Sequence, residues 1–321
     1  MRPGAPALLH AEAPSDPPAW IASHRDALRA LVLEHGALML RGLGLGDASD
    51  AGTAFRALTP ELMTEREGFA ARRTHADGVY STSTWPPSQQ MCMHHELSYA
   101  FEAPGLLLFA CLVPPGSGGA TPIADGTAVL EALPGELVAR FEREGWTLTR
   151  AYGDGIGATL ESAFGTADRA AIERYCRANA IDVEWQPDGG LHTRQRRRAV
   201  VRHPVTDRRT WFNQVAFLSA WTMDPEVREF LVDLNGPDGL PFDTRYGGGD
   251  PIDADVVAVI NEAYDRHTVR EPWQEGDLLL IDNVRTAHGR DPFAGPREVL
   301  AALADPVRVA GGAAALDGSD R

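Results

Sequence analysis

The chain has 321 residues, 44% hydrophobic and 23% charged, which is ordinary for a soluble globular protein with a sizeable core. Its formal net charge of −15 argues against nucleic acid as a main partner, because phosphates attract clustered Lys and Arg. No stretch approaches the ~20 apolar residues of a membrane span, and the Pro/Ala-rich start lacks the apolar core of a signal peptide.

In chain order, residues 1–16 read as a flexible N-terminus. "SHRDALRALVLEHG" predicts a helix capped at Ser23 and stopped at Gly36, with Leu28, Leu31 and Val32 at helical spacing. "ALMLRGL" reads as a short buried strand and "DASDAGTAFRAL" as a second helix. Residues 64–90, with "STWPPSQQ", have no clear period and read as a long loop. "GLLLFACLV" (105–113) is a strong apolar strand ended by "PPGSGG". "TPIAD" is a short strand, followed by helices over "TAVLEAL" and "PGELVARFEREG" and a strand at "WTLTRAY".

"ADRAAIERYCRANA" predicts a helix with Ile172 and Tyr175 on one face. A β-rich run follows, "IDVEW", "LHTRQ", "AVVRH" and "TWFNQVAFL", with "PVTD" as a hairpin turn between the last two. "PIDADVVAVINEAYDRH" is an amphipathic helix, and "GDLLLIDN" and "REVLAAL" are late strands. There is no internal repeat. The reading is one domain over 17–309 with a flexible tail at 310–321. The pattern is mixed α/β, mainly β, and lacks regular βαβ alternation. A jelly-roll sandwich or barrel with flanking helices fits it best. Cys92, Cys111 and Cys176 form no C-x-x-C pair and read as reduced thiols in a cytoplasmic protein.

"QMCMHHELSYA" (90–100) sets two histidines side by side before a glutamate. Alternate residues of a strand share a face, so His94 and Glu96 point together if the segment is extended, and His95 points away. His288, just past the apolar strand at "LLLID", offers a third ligand. Two imidazoles and one carboxylate with open positions suit non-haem Fe(II). Alone, H-x-E is a weak signal. The plainer readings are a hydrogen-bonded strand histidine, a solvated carboxylate and a loop histidine. "RGLGLGDASDAG" lacks the G-x-G-x-x-G spacing of a dinucleotide loop. A hydrolase would need a placed nucleophile, for which Ser98 is only suggestive.

"MHHELSYA" followed by "GLLLFACLVPPGSGGATPIADG", with "WFNQ" and "DNVRTAHGRDPFAGPR", resembles the Fe(II)/2-oxoglutarate dioxygenases related to taurine dioxygenase and clavaminate synthase. Within that family it is most similar to natural-product pathway enzymes such as the syringomycin-pathway hydroxylase. The resemblance runs from about Ser81 to Val307. It implies a double-stranded β-helix core, with Fe(II) and 2-oxoglutarate as cofactor and cosubstrate and O₂ as oxidant. It implies His94, Glu96 and His288 as metal ligands. Thr121 matches a threonine that hydrogen-bonds 2-oxoglutarate, and Arg297 an arginine that grips its far carboxylate.

The chain departs from the relatives at Ala301, where taurine dioxygenase and clavaminate synthase carry the cosubstrate-holding arginine. Arg297 then acts alone or with help from Arg290. Related halogenases have Gly or Ala at the position of Glu96, so its carboxylate predicts hydroxylation or desaturation and no halogenation. The implied substrate is a small molecule, an amino acid or a derivative of one, free or tethered to a carrier protein. The basic run Arg194, Arg196, Arg197, Arg198 and Arg202 is either a solvated face or a patch for an acidic partner. Alternation sends Trp211 and Asn213 to one face, toward the substrate pocket, although core packing is the default for the aromatic. The alternative in a different class is a non-catalytic jelly-roll metal-binding module.

Overall fold

The computed structural model describes residues 4–70, 72–153, 157–236 and 239–309. Its centre is a seven-stranded sheet in the order Ala7–His10, Ala37–Arg41, Leu278–Asp282, Glu102–Val113, Glu298–Arg308, Val79–Ser81 and Thr74–Ala76. The middle strands are apolar on both faces, because both faces are covered. Leu38, Leu40, Leu106, Leu108, Leu278 and Leu280 meet the helices Pro17–His35 and Ala48–Leu58. Their neighbours Met39, Leu107, Phe109, Leu279 and Ile281 point the other way, into the larger core.

That larger core is closed by two smaller antiparallel sheets. One holds Met91–His94, Thr286–Arg290 and Ile123–Asp125, in that order. The other runs Asp182–Trp185, Leu191–Arg197, Trp146–Tyr152, Phe242–Tyr246. Val200–Arg202 and Arg209–Trp211 form the hairpin expected around "PVTD". The arrangement is mixed α/β with many short strands, as the sequence pattern indicates. Among the described residues no helix is long and apolar enough to cross a membrane, and all three cysteines are free.

Several expectations are corrected. Residues 7–10 are not frayed: they pair in parallel with Leu38–Arg41 at the edge of the large sheet. The first helix starts at Pro17 and is capped by Asp16, whose Oδ1 accepts from Ala19 N at 3.0 Å; Ser23 lies inside it. Proline at the first helical position and the Asp before it are the true start signal. The stretch 64–90 contains two short strands pinned to the sheet edge. A helix at Pro225–Asn235, unforeseen, opens on the same Asp-Pro signal. The tail 310–321 lies outside the described residues.

Candidate metal centre and its surroundings

His94 and His288 sit directly opposite each other on neighbouring antiparallel strands. Cross-strand partners project to the same face, and the two rings lie 4.3 Å apart. The strands approach closely: a Cβ added at Gly289 would stand 2.7 Å from the Met91 carbonyl oxygen, so "HGR" needs its glycine. The first strand ends at His94, and Glu96 lies in the turn after it, with Leu97 at φ +53°. The premise of a continuous extended H-x-E is therefore corrected, although His94 and Glu96 still converge. His94 Nε2 and His288 Nε2 stand 4.0 and 3.9 Å from Glu96 Oε2. The three ligand atoms all lie within 4.8 Å of one another, and all three residues are buried.

The histidines are suited to coordination. Burial drives the His94 imidazole below its ordinary pKa, and burial together with the neighbouring His94 drives His288 further down. Both are neutral at pH 7, which leaves lone pairs for a cation. His94 Nδ1 lies 2.8 Å from the Cys92 carbonyl, which fixes the proton there and frees Nε2. The His94 ring stacks on Phe217 at 4.6 Å, so its plane is set from the side as well. His95 faces away, as expected, with its Nδ1 2.7 Å from the Asn283 carbonyl.

Thr121, Arg290 and Arg297 line the same cavity as the three ligand residues. The two arginines differ. Arg290 donates to the carbonyls of Trp85, Pro86 and Gln89 at 3.1, 2.7 and 2.7 Å, so its Nη atoms are committed to the 85–89 loop. Arg297 uses only Nε, toward Gly119 O at 3.1 Å, and its two Nη atoms have no partner among the described residues. Burial, with Arg290 nearby, lowers the Arg297 guanidinium to about 10. That is the state of a cation awaiting an anion. Ala301 is buried opposite Phe109 and offers only a methyl group, so that position supplies no second guanidinium.

Trp211 and Asn213 are not brought to the cavity. Trp211 is fully buried and packs edge-on against Phe141. Asn213 donates to Ala199 O and accepts from Val215 N, bonds that stitch the chain where the strand ends. Strand alternation fails here because Arg209–Trp211 stops at Trp211. The basic run is only in part a surface patch. Arg197 is buried and donates to the carbonyls of Tyr99 and Asn179, Arg196 Nε binds Glu144 O, and Arg202 pairs with Asp207. Arg194 is exposed.

The sequence reading missed two groups. Arg72 is buried, its Nη2 2.8 Å from Glu96 Oε2 and its Nε 3.2 Å from Glu65 Oε2. No local pattern marks it, because it sits in an irregular stretch. Next to His94, Phe69, Trp85, Phe217 and Phe242 form an aromatic wall with ring centroids 5.0 to 6.4 Å apart. A separate cleft of about 860 Å³, lined by Tyr152, Leu160, Gln186 and His192, contains none of these groups.

Residues 2–303 match the model of the "Taurine catabolism dioxygenase TauD, TfdA family". The dapdiamide synthesis protein DdaC of Enterobacter agglomerans is 36% identical over 277 residues, 86% of this chain and 84% of that protein. A clavaminate synthase-like protein of Arabidopsis thaliana is 31% identical over 293 residues, 88% and 86% of the two chains. The crystal structure of PvcB from Pseudomonas aeruginosa superposes with a TM-score of 0.53 at 16% identity, covering 90% of this chain and 83% of that one, a likeness of fold.

Proposed function

The chain belongs to the TauD, TfdA family of dioxygenases, and on that premise we propose that it hydroxylates an unactivated C–H bond of an amino acid or amino-acid-derived intermediate in a specialised biosynthetic pathway. It is an Fe(II)- and 2-oxoglutarate-dependent enzyme that uses O₂. The observation that carries the reading is the convergence of two buried imidazoles and one carboxylate on a cavity that is also lined by the half-buried guanidinium of Arg297, bonded only through Nε. We read the large sheet and the smaller sheets facing it as a double-stranded β-helix. The relative that supports a biosynthetic role is DdaC, a protein of dapdiamide synthesis.

In this reading His94, Glu96 and His288 hold the iron, which couples decarboxylation of 2-oxoglutarate to succinate with oxidation of the substrate. Arg297 offers two parallel hydrogen bonds to the far carboxylate of 2-oxoglutarate, and Thr121 offers its hydroxyl. Arg290 helps indirectly, by holding the 85–89 loop over the site. The aromatic wall excludes water and presents an apolar face to the substrate. Glu96 occupies the position a halide would need, so the outcome is oxygenation. Desaturation remains the variant outcome of the same hydrogen abstraction.

The substrate is a small molecule, free or carried by an acidic partner; Arg197, at the centre of the basic run, is buried and bonded to carbonyls and so is not available for docking, whereas Arg194 and Arg202 are exposed. A cytoplasmic location accords with the three free thiols. The test is succinate formation from 2-oxoglutarate with Fe(II) and ascorbate, stimulated by members of an amino-acid panel. Absence of succinate under every condition, with iron bound, would favour the non-catalytic metal-binding module instead.

A further inference from the structure

Glu96 has no regular secondary structure to hold it, since the strand stops two residues before. Its backbone is nevertheless gripped at both ends by one side chain. Glu96 N donates to Asn283 Oδ1 at 2.8 Å, and Asn283 Nδ2 donates to Glu96 O at 3.0 Å. The same Nδ2 reaches Pro104 O at 2.8 Å, and the Asn283 carbonyl takes the neighbouring His95 Nδ1 at 2.7 Å. Gln214 Nε2 holds the His95 carbonyl at 2.7 Å. Asn283 is fully buried and directly follows the central strand Leu278–Asp282. Its position is therefore fixed by a strand that is buried at every residue.

We propose that Asn283 is the positioning residue of the Glu96 carboxylate: it reads both backbone groups of Glu96 and so fixes the turn that aims that side chain at His94 and His288. A side-chain amide suits this role because it carries one acceptor and two donors in a plane, matching the N–H and C=O of a single residue. Aspartate would keep the bond from Glu96 N and set an oxygen against two carbonyls. The turn carries a left-handed residue, Leu97 at φ +53°, which persists only where the surroundings over-determine it. His95 belongs to the same device. Its ring is the second strap on Asn283, which gives the doubled histidine of "MHHEL" a role for each member.

The inference rests on the proposed metal site, and the experiment separates the two. Mn(II) affinity is measured by electron paramagnetic resonance of free Mn(II) on the metal-free protein, without cosubstrate, with thermal unfolding alongside. Asn283→Ala, or Asn283→Ser should the alanine variant fail to fold, is expected to weaken Mn(II) binding about 10- to 100-fold, the usual cost of losing an outer-shell partner. Asn283→Asp should be no better than the alanine variant. In a Glu96→Ala background the same Asn283 change should cost nothing further, because its effect passes through Glu96. His203→Ala removes another buried pair on the same segment, His203 Nε2 to Asp282 Oδ2 at 2.9 Å, and should lower thermal stability while leaving Mn(II) affinity unchanged. Additive losses from Asn283 and Glu96, or unchanged affinity in a folded Asn283 variant, overturn the inference and leave the metal site standing. Unchanged affinity in Glu96→Ala itself sinks both.

Discussion

Two regions meet at the cavity and are built differently. The sheet side supplies His94, His288 and Arg297 from strands or their immediate ends, with cross-strand register fixing the histidines. The loop side, residues 60–90, supplies Glu65, Phe69, Arg72 and Trp85 from irregular backbone. Yet the loop is not loosely held. Glu67, at φ +58° and buried, accepts from Tyr175 Oη at 2.6 Å and from Gln195 Nε2 at 3.2 Å, and its carbonyl takes Tyr99 and Arg150. A cluster of ordered polar bonds does for the loop what a ladder does for the strands. The difference suggests a division of labour, with metal and cosubstrate on the sheet and substrate selection on the loop, in keeping with rigid scaffolds that carry variable loops.

The strongest way to break that division is to remove a sheet-side ligand. His94→Ala or His288→Ala should lower Fe(II)-dependent succinate formation by at least about a hundredfold, since an open-sided three-ligand set has none to spare. The metal-free unfolding temperature should fall little, because the core clusters do not depend on a metal. Retained iron binding and turnover in either variant would show that the triad is wrong. Next in size is Arg297→Ala. Losing the partner of a buried carboxylate costs about 3–5 kcal/mol, so the KM for 2-oxoglutarate should rise about 10²-fold or more. Arg290→Ala should change that KM by less than about tenfold and instead expose the 85–89 loop to proteolysis, because its bonds go to loop carbonyls. A reversed ranking in cosubstrate kinetics would move the anchor to Arg290.

How much of this was legible in the sequence follows the same line. The sheet side was readable: "GLLLFACLV" and "LLLID" announce buried strands, and "MHHEL" and "AHGR" stand where they pair. Alternation alone would align His94 with Glu96, but the strand ends at His94, and the turn that replaces it depends on Asn283, 187 residues away. Trp211 and Asn213 diverge for the same reason: a period of two holds only as far as the last strand residue, Trp211. Arg72 and the aromatic wall were invisible because irregular backbone has no period. Their meaning comes from contacts between Arg72 and Glu96, or Phe69 and Phe242, that are remote in sequence. Arg197, buried within a run of basic residues, shows that charge in sequence does not mean charge at the surface.

Arg72 is where the two regions touch, so changing it sharpens the comparison. Arg72→Met leaves Glu96 its backbone clamp and removes only the bond to Oε2. Mn(II) affinity should stay within about threefold, while coupling of 2-oxoglutarate consumption to product should fall about tenfold, the scale of one charge-assisted hydrogen bond. The readout is the ratio of succinate to hydroxylated product. A large loss of metal affinity would instead assign Arg72 to the sheet-side machinery.

The smallest expected effect concerns Glu65, the outer member of that chain of charges. Burial pushes its carboxyl up to about 7, against the pull of Arg72. The sign follows from linkage. A carboxyl whose folded pKa lies above its unfolded value holds a proton in the folded state that the unfolded chain releases. Its contribution is present at low pH, declines as pH rises from about 4.5 toward 7, and is lost above that. The buried histidines act with the opposite sign: they stay neutral when folded, so they cost stability as pH falls below the ordinary histidine range. The wild-type curve therefore mixes both, and the difference between wild type and Glu65→Gln isolates the carboxyl. Glutamine keeps an acceptor for Arg72 and cannot titrate. Relative to wild type, the metal-free variant should gain stability between pH 5 and pH 8, by on the order of 1–2 kcal/mol, read as a rising difference in unfolding temperature. A flat difference would mean that Glu65 is ionised throughout, paired to Arg72 as a permanent salt bridge, and that the loop side is held by charge as firmly as the sheet side is held by register.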